Sequence, residues 1–155
     1  MKASKFLVAA AALALSSHAY AQRPDYGMPI NAAQAKAAAA AAVAVMNENN
    51  WPMAVAVVDP SGNLVYFEKM DATQHASVTI AIEKAKSAAA FKRPTKIFAD
   101  ALANNAGLGT LPGVIGSEGG VPIVVNGRII GAIGCSGGTG QQDGVACNAG
   151  AAALD

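Results

Sequence analysis

Asn126-Gly127, set between the apolar runs Val121–Val125 and Arg128–Gly134, constrains the fold of this chain more than any other feature. An Asn-Gly pair reaches positive φ at both central positions of a turn at little cost, and the twist of such a turn matches that of two antiparallel strands. A hairpin is therefore predicted near the C-terminus. A second is predicted upstream, where Met53–Val58 and Leu64–Lys69 flank Asp59-Pro60-Ser61-Gly62-Asn63, a run with turn chemistry at every position. Two hairpins build an antiparallel sheet, and each apolar face of a sheet must be covered.

The segments around the hairpins supply that cover. Asn31 can cap a helix that runs through an alanine-rich stretch to about Met46, with Val43 and Met46 among its few larger side chains. The low-complexity run Ala37–Ala42 then reads as a closely packed helix face. From Ala76 the period changes: Val78, Ala81, Ile82, Ala85, Ala88 and Ala89 recur at three and four, leaving Thr79, Glu83 and Lys86 outward. This amphipathic helix is expected to stop at Arg93, because Pro94 disfavours helical geometry in the residue before it. Thr95 then caps a short helix with Ile97, Phe98, Ala101 and Leu102 on its apolar side. Asn104–Gly120 follows with six glycines and Pro112, a loop long enough to suggest function. Thr139 and Gln142 have capping-box spacing, and Asp143 adds charge near the start of a last helix running to about Leu154. The expected fold class is α/β (α+β), a three-layer α-β-α domain on an antiparallel central sheet of about five strands.

The first 21 residues read as a cleavable export signal. They have a basic start at Lys2 and Lys5, an apolar run Phe6–Leu15 and a small-residue exit Ala19-Tyr20-Ala21. Ser16, Ser17 and His18 interrupt the run where a core helix would continue. Cleavage is expected before Gln22, the location periplasmic or secreted, and the apolar run is about half of the ~20 residues that cross a bilayer. No membrane insertion is expected after cleavage. Removing 21 residues from 155 leaves 134, which divide into a flexible leader at 22–30, marked by Pro24, Gly27 and Pro29, and one domain at 31–155. The signal carries two lysines and no acid, so a net charge of +1 becomes −1, and no dense basic run remains to bind nucleic acid. Cys135 and Cys147 stay in the processed chain; they either close a disulfide, which an oxidising compartment favours, or pack as buried thiols between the last strand and the last helix. Two Cys and one remaining His fall short of the four ligands of a structural zinc site.

An ordered set of motifs resembles one family. Asp59-Pro60-Ser61-Gly62, the stretch Ser77–Thr95 with Ala81, Lys84, Ala85, Ala88, Phe91 and Pro94, then Gly119-Gly120-Val121-Pro122-Ile123, and finally Gly131–Gly138 followed by Asp143 are similar to the GlcG/HbpS family of haem-binding or "haem-degrading" domains. The resemblance covers roughly residues 31–154. It implies a profilin-like α-β-α domain, assembly into homo-oligomers, and haem as a cofactor in some members. Cys135, where a small aliphatic residue is usual, and His75 depart from the family pattern.

Candidate ligand-binding residues are His75, Lys84, Thr110, Gly119, Gly120, Ser136 and Gly137. His75 begins the helix after the first hairpin and is either a haem axial ligand or a capping or surface histidine; Tyr66 and Met70 are further axial candidates. Lys84 is expected either to pair with an acid such as Asp59 or Asp143, or to meet a ligand carboxylate such as a haem propionate. Gly119-Gly120 and Gly137-Gly138 either admit a ligand to the backbone or serve turns of positive φ, and neither makes a phosphate loop or a dinucleotide fingerprint. Nucleophilic and paired-carboxylate catalysis find thin support, since Ser136 has no nearby base and the acids are scattered. The reading is a small-ligand-binding module, with haem held between the loop 104–120 and the helix from 76 to 91. The alternatives are an enzyme or accessory subunit acting on a small hydroxy- or keto-acid oriented by Lys84 or Arg128, and a structural or partner-binding oligomer.

Overall fold

The computed structural model describes residues 23–154, so the expected export signal at 1–21 lies outside the described residues. Nine elements follow in order: β1 (Asp25–Tyr26), α1 (Ala32–Glu48), β2 (Ala54–Val58), β3 (Leu64–Lys69), α2 (Ala76–Phe91), α3 (Lys96–Leu102), β4 (Gly120–Val125), β5 (Arg128–Ser136) and α4 (Gly140–Ala152), with a 3-10 turn at Ala106–Thr110. The fold is α+β, a five-stranded sheet with helices on both faces.

β5 is the axis of the sheet. It pairs antiparallel with β2 along one edge, Val58 to Ala132 through Ala54 to Ser136, and with β4 along the other. β3 completes the upstream hairpin against β2. The expected flexible leader is instead part of the sheet. Asp25 and Tyr26 pair parallel to Arg128 and Ile129, the Gly27 and Ile30 amides donate to the Ile129 and Ile130 carbonyls, and Ile30 is buried. β1 and β2 thus share one edge of β5, end to end.

The two faces of the sheet differ in side-chain size, which follows from the alternation of residues along each strand. Val55 and Val57 of β2, with Ile133 and Cys135 of β5, face α1 and α4 and pack with Met46 and Met53. Each fully buried side chain of that size contributes roughly 1.5–3 kcal/mol. Ala54, Ala56, Ala132 and Gly134 lie on the other face, with Ala81, Ala85 and Ala88 of α2. Small residues on both sides let α2 bed directly on the sheet: a Cβ at Gly134 would run into the Ala81 carbonyl.

The helix ends carry the expected chemistry, with one exception. Asn31 with Gln34, and Thr139 with Gln142, form complete capping boxes. Thr95 does not cap α3 through its side chain; its hydroxyl donates to the Ser117 carbonyl at 2.7 Å and accepts from the Gly120 amide at 2.9 Å. Thr95 stands at the N-cap position as predicted, but its hydroxyl pins the end of the glycine loop to the start of β4.

Candidate functional site

Lys84 is the largest fully buried side chain among the described residues, 1% exposed, and an ammonium in such a place must be paired. Its Nζ donates to Asp143 Oδ2 at 2.6 Å and to the Cys135 carbonyl at 3.2 Å. Asp143 Oδ1 in turn accepts from the Gly138 amide at 3.0 Å. Burial pushes the Asp143 carboxyl above its ordinary value, even though Lys84 and the Gly138 and Gly137 amides pull it down. Of the two roles open to Lys84, the structure shows the ion pair, and with Asp143 rather than Asp59. Asp59 is occupied within its own hairpin, where its carboxylate accepts from the Ser61 and Asn63 amides and the Asn63 side chain.

Gly119 is a glycine because of this pair. Its φ is +121°, and a Cβ there would lie 2.7 Å from Asp143 Cβ, 2.8 Å from the Cys135 carbonyl and 3.0 Å from Lys84 Nζ. A Cβ at Gly120 would meet the Lys84 backbone and Thr95. The space a side chain would take at either glycine is filled by protein, while their backbone lines a recess shared with Lys96 and Glu118.

Cys135 and Cys147 are joined by a disulfide between β5 and α4, with S–S 2.06 Å and Cα–Cα 5.7 Å, and both are fully buried. Of the two states open to these residues, the bonded one is realised. Ser136 is buried and its hydroxyl donates to Ser77 Oγ at 3.2 Å, which ties the end of β5 to the first turn of α2. Gly137 packs against Pro52 and Met53.

His75 and Thr110 lie apart from these residues. His75 is exposed at the start of α2 and makes no capping hydrogen bond through its side chain. Thr110 is exposed in the 3-10 turn and donates to the Gly107 carbonyl. The glycine loop runs beside the far half of α2, with the Ile115 amide on Ser87 Oγ and Gly113 beside Phe91. Along a helix rising ~1.5 Å per residue, His75 and Phe91 are about 24 Å apart. Within one chain, then, the candidate residues are spread along α2: His75, Ser136 and Gly137 at its start, Lys84 and Gly119 at its middle, Thr110 beyond its end. No group of three or more His, Cys, Asp or Glu suited to a metal ion occurs among the described residues.

A larger concavity lies elsewhere, beside a part of the sequence that reads as a loose leader. It holds about 550 Å³ between the segment after β1, the first turn of α1 and the β4–β5 turn. Val125 and Ile130 line it, Asn31, Gln34 and Arg128 supply its polar groups, and Met28, 84% exposed, stands at its margin. Arg128 was legible in the sequence as an anion partner, whereas Met28 gave no signal, because the groove exists only once β1 has docked on β5. A smaller recess of about 180 Å³ lies between Lys96, Glu118, Gly119 and α4.

Known proteins match this chain closely. Protein GlcG of Escherichia coli strain K12 is 40% identical over 90 residues, 57% of this chain and 67% of that protein. A 15.0 kDa protein from the dhaT-dhaS intergenic region of Citrobacter freundii is 36% identical over 119 residues, 74% of this chain and 84% of that one. Among solved structures, HbpS superposes with a TM-score of 0.77 at 32% identity, covering 83% of this chain and 92% of that one. Klebsiella pneumoniae protein ORFY superposes with a TM-score of 0.75 at 29% identity, covering 86% and 95%. A PduOC:heme complex shares the fold, with a TM-score of 0.74 at 24% identity, covering 83% and 96%. The family model described as haem degrading protein HbpS-like matches residues 30–152, from the end of the β1 segment to the last turn of α4, and the chain belongs to that family.

Proposed function

We propose that this protein is an exported binding module for haem, or for a flat, largely apolar, anionic ligand of the same kind. The observation that carries the reading is the HbpS-like match over residues 30–152, which takes in every helix and four of the five strands. The PduOC:heme complex supports it at the level of fold, since that protein holds haem on the same architecture.

A haem seat needs an apolar concavity of several hundred Å³, an axial ligand and a cation for the propionates. The groove beside β1 offers all three: a volume of about 550 Å³, Val125 and Ile130 as wall, Arg128 at the rim and the Met28 thioether. His75 is the second axial candidate. From the exposed start of α2 it would bind a haem lying on the surface of the chain, against another copy in a homo-oligomer. Lys84 takes no part, because Asp143 and the Cys135 carbonyl already occupy its ammonium.

Haemin titrated into the purified protein is expected to give a shifted Soret band. Met28→Ala and His75→Ala then identify the axial ligand by which of them changes the spectrum. Arg128→Gln weakens binding about tenfold if the propionate lies in the groove, the loss of one charge-assisted hydrogen bond. An unshifted spectrum at micromolar haemin and protein overturns the reading.

A further inference from the structure

A second concavity, separate from the groove beside β1, opens where α2 gives way to α3. It holds about 240 Å³ and has an apolar floor of Val121, Pro122 and Val124 from β4 and Ile129 from β5, under the cations Lys92 and Arg93. The backbone sets both cations there. Lys92 ends α2 in the left-handed region, φ 54° and ψ 40°, a conformation that non-glycine residues rarely adopt. The turn carries Arg93 over Phe98, with the guanidinium carbon 5.7 Å from the ring centroid.

The two cations differ in what they already hold. Lys92 Nζ lies 4.4 Å from the Tyr26 ring centroid and 3.8 Å from the exposed Asp25 carboxylate. Arg93 joins no ion pair among the described residues, and its Nε is buried there without a hydrogen-bond partner. A buried donor on a charged group is costly to leave unsatisfied, and an acceptor brought to it recovers that cost. The planar guanidinium can hold a carboxylate with two parallel N–H groups, one to each oxygen, and the apolar floor favours an organic acid over an inorganic oxyanion.

We propose that this cleft binds a small organic carboxylate: the carboxylate accepts from Arg93, with Lys92 as the second cation, and a compact apolar body rests on Pro122 and Val124. The volume falls below the ~300 Å³ at which pockets for drug-sized ligands begin, so the occupant is a compact acid or the carboxylate arm of a larger molecule. A haem propionate carries the same chemistry as a free aromatic acid. The proposal does not rest on the groove beside β1, and either site can fail without the other.

Benzoate is the probe, with benzyl alcohol as its neutral counterpart and acetate as an anion without the ring. The wild-type protein is expected to bind benzoate with Kd of about 1 mM or tighter, and the other two at least about tenfold more weakly. Arg93→Gln is expected to weaken benzoate about tenfold or more, while Lys36→Gln, an exposed change on α1, leaves it unaltered. The Nε–H resonance of Arg93 in the wild type should move on titration, a readout that needs no variant to fold. Haemin separates the two sources of carboxylate: competition with benzoate, lost in Arg93→Gln, assigns the cleft to a propionate arm, and independence assigns it to a free acid. Failure of benzoate to bind, equal binding by benzyl alcohol, or an Arg93 Nε–H signal that stays still at saturation overturns the proposal.

Discussion

Lys84 and Asp143 join α2 to α4 through a single hydrogen bond in the interior, so removing either partner leaves a charge stranded. Lys84→Met is expected to destabilise the protein by about 3–5 kcal/mol at pH 7, read from urea denaturation. The deficit should shrink with acid. Burial already raises the Asp143 carboxyl above its ordinary value of 3.8, and the variant removes the neighbour that lowers it. An acid whose folded value is raised binds its proton more tightly folded than unfolded, so the penalty is full above the raised value and fades as pH falls through it toward 3.8. Asp59 behaves in the opposite sense. Although burial works against it, hydrogen bonds from Asn63, Ser61 and Gly62 hold its carboxyl below 3.8, so its contribution is full above 3.8 and disappears as pH falls through the lowered value. Wild type should lose stability more steeply than Asp59→Asn as pH falls below 3.8, measured by thermal melts across the acid range. The sequence narrows the partner of Lys84 to these two acids and no further, because only the folded hairpin shows that Asp59 is used locally.

At the scale of elements, the contact between α2 and the sheet is the least tolerant part of the molecule. Gly134→Ala places a methyl group against the Ala81 carbonyl and is expected to cost about 1–3 kcal/mol, more than the same change at Gly140, where a Cβ meets nothing closer than 3.5 Å. Chemical denaturation of the two variants side by side checks the difference. The Cys135–Cys147 disulfide closes a short loop, with a sequence separation of 12, and replacing both cysteines by alanine is expected to cost about 3 kcal/mol. Because both sulfurs are fully buried, dithiothreitol should reduce the native protein only as fast as α4 opens, which thiol labelling over time would follow. Most elements are legible in the sequence, since turn chemistry and spacing are local signals: Asn126-Gly127 marks one hairpin, and the Val78–Ala89 pattern marks α2. β1 is not. Two residues between Pro24 and Gly27 carry no alternation, and they become a strand only because β5 extends past the end of β2 and leaves an edge free. Thr95 is misleading for a related reason, as its hydroxyl finds a distant partner in the glycine loop instead of the local amide.

For the whole molecule, the sequence gives the three layers and the family correctly, whereas the candidate site is only partly legible. Residue types suited to a ligand can be picked out one at a time, but convergence is a property of the folded chain, and here His75 stands at the start of α2, Lys84 in its middle and Thr110 in the separate 3-10 turn. Export predicts that protein recovered from the periplasm or medium of an expressing host begins at Gln22; material there that still begins at Met1 contradicts it. Assembly predicts a mass in solution of at least twice that of one chain, read by light scattering. The buried ion pair also bears on the order in which the molecule can be finished. α4 is synthesised after the other eight elements, and it brings both Asp143 and Cys147. Until those 13 residues emerge, closing α2 onto the sheet would trap a bare ammonium in an apolar interior. A nascent polypeptide of this design therefore holds α2 off the sheet until α4 arrives to neutralise Lys84.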